Sequence, residues 1–235
     1  MNETGLENNV VKIGGVVASG LESSHELYGE QFYKFYIEID RLSGQKDRLP
    51  VIVSERLIDI NNFPEGTIIK LEGQYRSYNQ MIGENKSKLI LTVFVKNIEV
   101  GCEEERVKTL NELTMIGTIC KPPVYRKTPL GRDIADILLA VNRAYNKSDY
   151  IPCILWGRNA KFCEKLSIGA DVKVVGRIQA RAYEKKFQDG TSESRVAYEV
   201  SVSKFEKVRT STFMDVAEEN IENHDANENE KVEEV

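Results

Sequence analysis

The chain of 235 residues is 41% hydrophobic and carries a formal net charge of −5 at pH 7. This length suits two domains of about a hundred residues each and is too great for one small barrel. No apolar run approaches the roughly 20 residues that a membrane span needs, and no stretch near Met1 resembles a signal peptide. The four cysteines form no CxxC pair and only two histidines occur. The composition therefore argues against a membrane protein and a zinc site, and favours the reducing cytoplasm.

Five strand-like runs occupy the first half of the chain, mostly separated by loops that contain Gly, Ser or Asn. They are Val10–Ala18, Phe32–Asp40, Leu49–Val53, Thr67–Tyr78 and Lys88–Val100. Between the third and fourth runs, Ser54 is a candidate N-cap for a short helix over 54–62, which Phe63-Pro64-Glu65-Gly66 would end. The predicted order is three strands, one helix and two strands.

The same order returns in the second half of the chain. Gly29 and Gly131 are 102 residues apart, as are Pro50 and Pro152, whereas the pairs Gly66/Gly169 and Gly73/Gly176 are 103 apart. We interpret this constant spacing as an internal duplication. The second set of strands is Asn111–Ile119, Ile134–Val141, Tyr150–Trp156, Asp171–Tyr183 and Val196–Phe205, with a helix predicted over Arg158–Leu166.

Five strands with one helix between the third and fourth are the pattern of the OB-fold, a small Greek-key barrel. Two β-sandwich domains would explain the strands but not the helix. Gly73 and Gly176, in the middle of the fourth strands, suit the sharp bend of such a barrel. We therefore predict an all-β chain of two tandem OB-fold barrels. Its segments are a disordered N-terminus over 1–8, a first barrel over 9–100, a linker over 101–110, a second barrel over 111–209 and a disordered acidic tail over 210–235.

Charge is distributed unevenly over these segments. Residues 8–100 carry a net charge of −1, residues 111–209 carry +7 and residues 210–235 carry −8. One cationic domain in an acidic chain indicates a polyanionic ligand for that domain, and a nucleic acid in particular.

The segment Asp171–Tyr183, DVKVVGRIQARAY, is the most informative part of the cationic repeat. Because a strand points successive side chains to opposite faces, one face is small and apolar, and the other carries Lys173, Arg177, Arg181 and then Tyr183. Cations beside an aromatic ring suit a single nucleic-acid strand, since the charges neutralise phosphates and the ring stacks on a base. A solvated basic face without function is the alternative.

The second repeat also resembles a known family. The stretches NELTMIGTI, GRDIADILLAVNRAY, DYIPCILWGRNAKFCEKLSIGADVKVVGRIQARAYEKK and VAYEVSVSKFEKV are similar to the DNA-binding domain of bacterial single-stranded DNA-binding protein, SSB. In that family, aromatic rings stack with bases at four places. The resemblance places these rings at Tyr145, Tyr150, Trp156 and Tyr183. For each ring, burial in the core is the alternative, above all for Trp156 beside Gly157; Phe187 is a weaker additional candidate.

Phosphate contacts are expected from the cations of the second repeat. The candidates are Arg126, Lys127, Arg132, Arg143, Arg158, Lys173, Arg177, Arg181, Lys185 and Lys186. We expect no catalytic residues, cofactor or metal, because the sequence contains no nucleophile–base pair, no phosphate-cradling glycine loop and no cluster of metal ligands.

The first repeat lacks this aromatic pattern. The equivalents of the four rings are Ser43, Arg48, Ser54 and Gln80. Tyr33, Tyr36, Tyr75 and Tyr78 leave open a contribution at shifted positions, but a role in scaffolding, dimerisation or a weaker part of the path is the main prediction. Family members with two barrels per chain form dimers, so the resemblance implies a homodimer with four OB-folds.

The tail has nine acidic residues in 26 and ends in Lys231-Val232-Glu233-Glu234-Val235. Family tails are acidic and end in an acidic-then-hydrophobic tip that recruits replication and repair proteins. That tip is absent here, so the expected contact of the tail with such proteins is weakened, and competition with DNA for the cationic repeat or a solubilising role are the alternatives for the tail. The predicted function is sequence-tolerant binding of single-stranded DNA in replication, recombination or repair, by a nucleoid-associated cytoplasmic protein. RNA remains a possible ligand. The alternative function is an OB-fold adaptor in a replication-restart or phage-type complex, in which DNA contact is secondary.

Overall fold

The computed structural model describes residues 8–83, 86–187 and 190–208. The predicted tail over 210–235 and residues 1–7 of the predicted disordered N-terminus lie outside these ranges. Asn8, the last residue of that predicted N-terminus, is part of the fold, because its carbonyl accepts a hydrogen bond from the Ile116 N–H at 2.8 Å.

The described chain is predominantly β-structure, with six strands in each repeat and two short helices. The strands of the first repeat are β1 (Asn9–Val17), β2 (Glu22–Leu27), β3 (Glu30–Asp40), β4 (Lys46–Ser54), β5 (Ile68–Gly83) and β6 (Lys86–Val100). Helix α1 (Glu104–Val107) lies in the predicted linker. The second repeat consists of β7 (Asn111–Ile119), β8 (Val124–Lys127), β9 (Asp133–Arg143), β10 (Lys147–Trp156), α2 (Arg158–Cys163), β11 (Asp171–Lys186) and β12 (Ser192–Lys207).

Each repeat closes into a barrel around its own apolar side chains. In the first repeat, β1 pairs with both β3 and β5, β3 pairs with β4, β4 runs parallel to β6, and β6 pairs with β5. The second repeat repeats each of these pairings with β7, β9, β10, β12 and β11. The inward side chains of alternating residues, such as Leu49, Val51 and Val53 on β4, are fully buried. The predicted fold class of two tandem OB-fold barrels is confirmed.

Gly73 and Gly176 occupy the bends that the sequence predicts. The register of β5 against β6 shifts between Glu72 and Gly73, and that of β11 against β12 shifts between Val175 and Gly176. A Cβ on Gly176 would lie 2.3 Å from the carbonyl oxygen of Ser201, so no larger residue fits without a shift of the backbone.

The two barrels share one sheet of twelve strands. Its order is β2-β3-β4-β6-β5-β1-β7-β11-β12-β10-β9-β8, in which each half is the reverse of the other. The link is the antiparallel pairing of β1 with β7, from Asn9 opposite Met115 to Ile13 opposite Asn111. The duplicated halves are therefore joined by hydrogen bonds between their first strands as well as by the linker.

The structure differs from the predicted elements in several places, and α2 ends at Cys163 instead of the predicted Leu166. Residues 55–62 form turns instead of the helix predicted over 54–62, and the Asp59 side chain accepts the Asn61 N–H at 3.0 Å, a local bond that competes with helix formation. The added strands β2 and β8 extend the sheet at its two edges, and the linker contains α1. Val107 of α1 is buried, and a Cβ on Gly14 of β1 would lie 2.6 Å from the Val107 Cβ.

Candidate nucleic-acid interface

Strand β10 presents two of the four predicted rings to solvent. Its odd-numbered residues Ile151, Cys153 and Leu155 are buried in the second barrel, so the even-numbered residues lie on the outer face, where Ile154 is covered and only 5% exposed. Tyr150 is 43% exposed and Trp156 is 39% exposed. They lie on the same face six residues apart, which corresponds to about 20 Å along a strand.

Tyr183 lies on the same outer face as these two rings. In the parallel pairing of β10 with β12, Ile154 is opposite Ser201, and Ser201 is opposite Arg177 of β11. Further along the same strand pair, Tyr183 is opposite Arg195. Since facing residues share a side and alternate residues keep it, the register brings Tyr150, Trp156 and Tyr183 to one face of the barrel wall. Tyr183 is 38% exposed, and the Arg181 Cζ lies 5.9 Å from its ring centre.

Tyr145 occupies the turn between β9 and β10. Its backbone φ is +60° and that of Asn146 is +55°, so the turn places two successive residues in the left-handed region. The Tyr145 ring is 94% exposed at the turn that leads into the strand of Tyr150 and Trp156. All four rings that the resemblance singles out are therefore accessible to a ligand.

The ten predicted phosphate-binding cations divide into two groups. Four form ion pairs: Arg126 with Asp136 at 2.9 Å, Arg143 with Asp149 at 3.4 Å, Arg177 with Asp47 at 3.1 Å and Arg181 with Glu199 at 3.0 Å. The other six form no salt bridge within the described ranges. They are Lys127, Arg132, Arg158, Lys173, Lys185 and Lys186, and all are exposed.

The face of β11 is less purely cationic than its sequence indicates. Glu199 of β12 accepts hydrogen bonds from Gln179 at 2.7 Å and from Arg181, and the bond from Arg181 raises the pKa of that guanidinium. Burial, together with the nearby Arg41, lowers the pKa of the Arg177 guanidinium. The acids that balance these two arginines come from β12 and from the first barrel, so the pattern of β11 alone could not indicate them.

The first barrel provides a different surface. Tyr75 is buried and cannot stack on a ligand, whereas Tyr78 is 49% exposed. Tyr33 is partly buried against the core. The Tyr36 ring is covered by cations, with Arg48 Cζ 4.6 Å and Lys34 Nζ 5.0 Å from its centre.

One cation–aromatic cluster was not predicted from the sequence. Arg76 Cζ lies 3.7 Å from the centre of the Phe94 ring, which is 5.6 Å from the Phe32 ring, and Phe32 stacks on His25 at 4.8 Å. Burial and the nearby Arg143 lower the pKa of Arg76 to about 10. This cluster could be predicted only if the register of β5 against β6 were known. In that register Gln74 is opposite Phe94, which brings Arg76 beside the Phe94 ring.

No metal site and no membrane-spanning helix are found in the part of the chain that the structure describes. Over residues 8–83, 86–187 and 190–208, no group of three or more His, Cys, Asp or Glu side chains is arranged to hold a metal ion. The helices found there are too short and too polar to cross a membrane.

Comparison with known proteins points to the second barrel. Residues 110–208 match the family model described as the single-strand binding protein family. Single-stranded DNA-binding protein B of Bacillus subtilis (strain 168) is 37% identical over 84 residues, which cover 32% of this chain and 72% of that protein. Single-stranded DNA-binding protein 1 of Staphylococcus aureus (strain COL) is 38% identical over 82 residues, which cover 32% of this chain and 49% of that protein.

A solved structure extends the likeness to both barrels. The crystal structure of the wild-type single-stranded DNA binding protein from Thermus aquaticus superposes with a TM-score of 0.66, covering 87% of this chain and 94% of that chain. The sequence identity is 20%, so this likeness concerns the fold alone.

Proposed function

The chain belongs to the single-strand binding protein family, and we propose that it binds single-stranded DNA with little preference for base sequence. The observation that carries the proposal is the common outer face of Tyr150, Trp156 and Tyr183, with Tyr145 exposed at the turn before β10. The names of the relatives support this function over that of an adaptor in which DNA contact is secondary.

Base stacking supplies the sequence-tolerant part of the interaction. Every base has a π face, so stacking on an aromatic ring contributes about 1–3 kcal/mol per base whatever the sequence. The separation of about 20 Å between Tyr150 and Trp156 along β10 leaves room for nucleotides between the two rings. An extended strand that runs along β10 and turns towards Tyr183 would contact three rings on one wall.

Phosphate neutralisation supplies the salt-sensitive part. Lys173, Lys185 and Lys186 extend from β11 without a salt-bridge partner among the described residues, and Lys127, Arg132 and Arg158 do so on neighbouring elements. Each phosphate that a cation contacts releases condensed counterions, so added salt weakens the complex. The four ion-paired arginines contribute less, because a phosphate would have to compete with a carboxylate already in place.

We further propose that the protein is not an enzyme and that it coats and protects exposed strands during replication, recombination or repair. Its four cysteines are free thiols, which suits the reducing cytoplasm. A homodimer with four barrels follows from the family resemblance, and light scattering of the purified protein without DNA distinguishes it from a monomer.

A fluorescence titration tests the proposed function. Trp156 is the only tryptophan, so its emission reports directly on the proposed wall. Addition of poly-dT to the full chain should quench this emission in a saturable way, since a stacked indole is quenched. Duplex DNA of matched length should leave the emission unchanged, and poly-U tests the preference for the sugar. Unchanged emission together with no retention of the protein on a poly-dT resin would refute the proposal.

A further inference from the structure

Beyond Gly176, strand β11 continues without a neighbouring strand on one side. Its pairing with β7 ends at Gly176 opposite Leu113, yet the strand runs on to Lys186. Backbone groups of a buried strand need partners. Side chains provide them at two successive positions on this edge, Ile178 and Ala180.

Asn111 provides the first pair of hydrogen bonds. Its Nδ2 donates to the Ile178 carbonyl at 2.7 Å, and its Oδ1 accepts from the Ile178 N–H at 2.9 Å. Asn111 is the first residue of β7, so the side chain continues the ladder at the point where the strand itself begins.

The first barrel provides the second pair. Asp47 of β4 is fully buried, and its Oδ1 accepts from the Ala180 N–H at 2.7 Å. Arg41, which precedes β4, donates from Nη2 to the Ala180 carbonyl at 3.1 Å. Both backbone groups of Ala180 are therefore held by residues of the other repeat, three positions before Tyr183.

Asp47 also connects two arginines of different barrels. Arg41 donates from Nε to Asp47 Oδ2 at 2.7 Å and from Nη2 to Oδ1, and Arg177 donates from Nη1 to Oδ2 at 3.1 Å. One buried carboxylate thus accepts four donated bonds. Truncating such a residue would leave two guanidinium groups and one amide without their partner.

The other repeat has an equivalent but looser arrangement. Asp149, which is 102 residues after Asp47, accepts the Ser77 N–H of β5 at 2.7 Å. The Asn9 side chain donates to the Tyr75 carbonyl and accepts from the Tyr75 N–H, as Asn111 does with Ile178. The Asp149 Oδ2 has no hydrogen-bond partner, and its nearest cation is Arg143 at 3.4 Å. The tighter of the two arrangements holds the strand that carries Arg181, Tyr183, Lys185 and Lys186.

We propose that Asp47 of the first barrel is a positioning residue for the single-strand site of the second barrel. It fixes Ala180 and Arg177, and thereby sets the direction in which the hairpin of β11 and β12 presents Tyr183 and the terminal lysines. This assignment rests on the proposed function. It gives the first barrel a task in binding that requires no stacking ring of its own.

The test uses Asp47→Asn and Asp47→Ala in the full chain. Asparagine keeps an oxygen acceptor for the Ala180 N–H but loses both ion pairs, whereas alanine loses every bond. The affinity for oligo-dT should fall about fivefold or more for Asp47→Ala and by a smaller factor for Asp47→Asn. It is measured at a temperature well below the thermal unfolding midpoint of each variant. The stoichiometry at saturation should stay unchanged, which separates a misplaced site from a loss of folded protein.

Asp40→Asn is the matched control. Asp40→Asn removes one negative charge, as Asp47→Asn does. Asp40 is exposed near Asp47 and forms no inter-barrel bond, so its substitution should leave the affinity unchanged. Tighter binding with a steeper salt dependence in the Asp47 variants would overturn the proposal, because Asp47 would then withhold Arg177 from phosphate. Unchanged affinity in both variants would overturn it as well.

Hydrogen exchange of the free protein tests the positioning independently of DNA. Amides in the segment 179–187 should exchange faster in Asp47→Ala than in wild type, while those of β9 and β10 should not change. If wild type binds no single strand, the proposed function fails while this measurement still tests the inter-barrel contact. Arg41→Gln removes the bond to the Ala180 carbonyl and serves the same test if the Asp47 variants do not fold. Equal exchange rates in wild type and a folded variant would contradict the role of Asp47.

Discussion

Val11 of β1 lies directly opposite Leu113 of β7, and the two residues are equivalent positions of the duplicated halves. A local two-fold axis therefore passes through this pair, which explains why the strand order of the sheet reads the same from both ends. The axis also places the hairpin of each barrel beside the other barrel, as the contacts of Asp47 with Ala180 and of Asp149 with Ser77 demonstrate.

Truncation of a stacking ring should weaken binding without unfolding the protein. We expect Trp156→Ala or Tyr183→Ala to lower the affinity for oligo-dT by about fivefold to 150-fold, since stacking contributes about 1–3 kcal/mol per base and 1.4 kcal/mol is a factor of ten. Tyr28→Ala is the control, because Tyr28 is 97% exposed on the first barrel. An affinity equal to that of wild type would remove the substituted ring from the site.

Removal of the terminal lysines of β11 should flatten the salt dependence. For single strands, the slope of log K against log salt changes by about 0.7 for each phosphate that is no longer neutralised. Lys185→Gln combined with Lys186→Gln should therefore reduce the slope by about 1.4. The double variant Lys46→Gln/Lys96→Gln takes the same charge from the first barrel and should leave the slope near that of wild type. Equal slopes for all three proteins would argue against phosphate binding at β11.

The buried carboxyl of Asp149 should make stability depend on pH. Burial raises its pKa, against the opposing effects of the Ser77 N–H and the nearby Arg143 and Arg76. Because the folded state then holds the proton more tightly, this carboxyl stabilises the fold below its unfolded pKa of about 3.9, and that stability is lost as the pH rises through the folded value. The unfolding free energy of wild type minus that of Asp149→Asn should fall as the pH rises from about 3 to 7. Chemical denaturation at several pH values measures it, and an increase would contradict the raised pKa.

Gly176→Ala should destabilise the second barrel. The added methyl group would lie 2.3 Å from the Ser201 carbonyl oxygen, which is part of the backbone and cannot rotate away. Overpacking of this kind costs about 1–3 kcal/mol. Gly20→Ala is the control, because a Cβ there meets no atom within 4 Å. Thermal unfolding compares the two variants, and equal midpoints would show that the bend at β11 tolerates a side chain.

Deletion of residues 210–235 should separate DNA binding from an adaptor function. The deletion removes a net charge of −8 from a chain whose second repeat carries +7. A protein that binds DNA through its barrels should keep or gain affinity for oligo-dT, because an anionic competitor is removed. Loss of DNA affinity on this deletion would contradict binding through the barrels, whereas an adaptor that works through its tail would lose its protein partner.

The duplication and the barrel order follow from the sequence because they depend on local patterns, whereas the four rings come from the family resemblance, which leaves their burial in the core as an alternative. Alternation along β10 puts Tyr150 and Trp156 on the outer side of the strand, but it does not decide their exposure, because Ile154 lies on the same side and is buried. Strand β2 was not predicted because all six of its residues are exposed, so apolar and polar side chains do not alternate along it. The helix predicted after Ser54 failed because the side chain of Asp59 bonds to the local backbone instead.

Ion pairing across the barrels could not be predicted from the sequence. Asp47 and Arg177 are 130 residues apart, and only the pairing of β1 with β7 brings their strands together. A cation that appears free in the pattern of β11 is therefore neutralised by a residue from the other repeat. The same limit applies to Arg76, whose position beside Phe94 depends on the register of two strands.

Because the two halves are joined in one polypeptide, their sequences can differ. In an assembly of two identical chains, every substitution occurs on both sides of the axis, so a ring introduced on one side is introduced on the other. Here Arg48 and Tyr150 occupy equivalent places, with the arginine covering Tyr36 in one barrel and the exposed tyrosine offering its face in the other. The two barrels of one chain can thus have different roles, one in contact with the ligand and the other in holding the first in position.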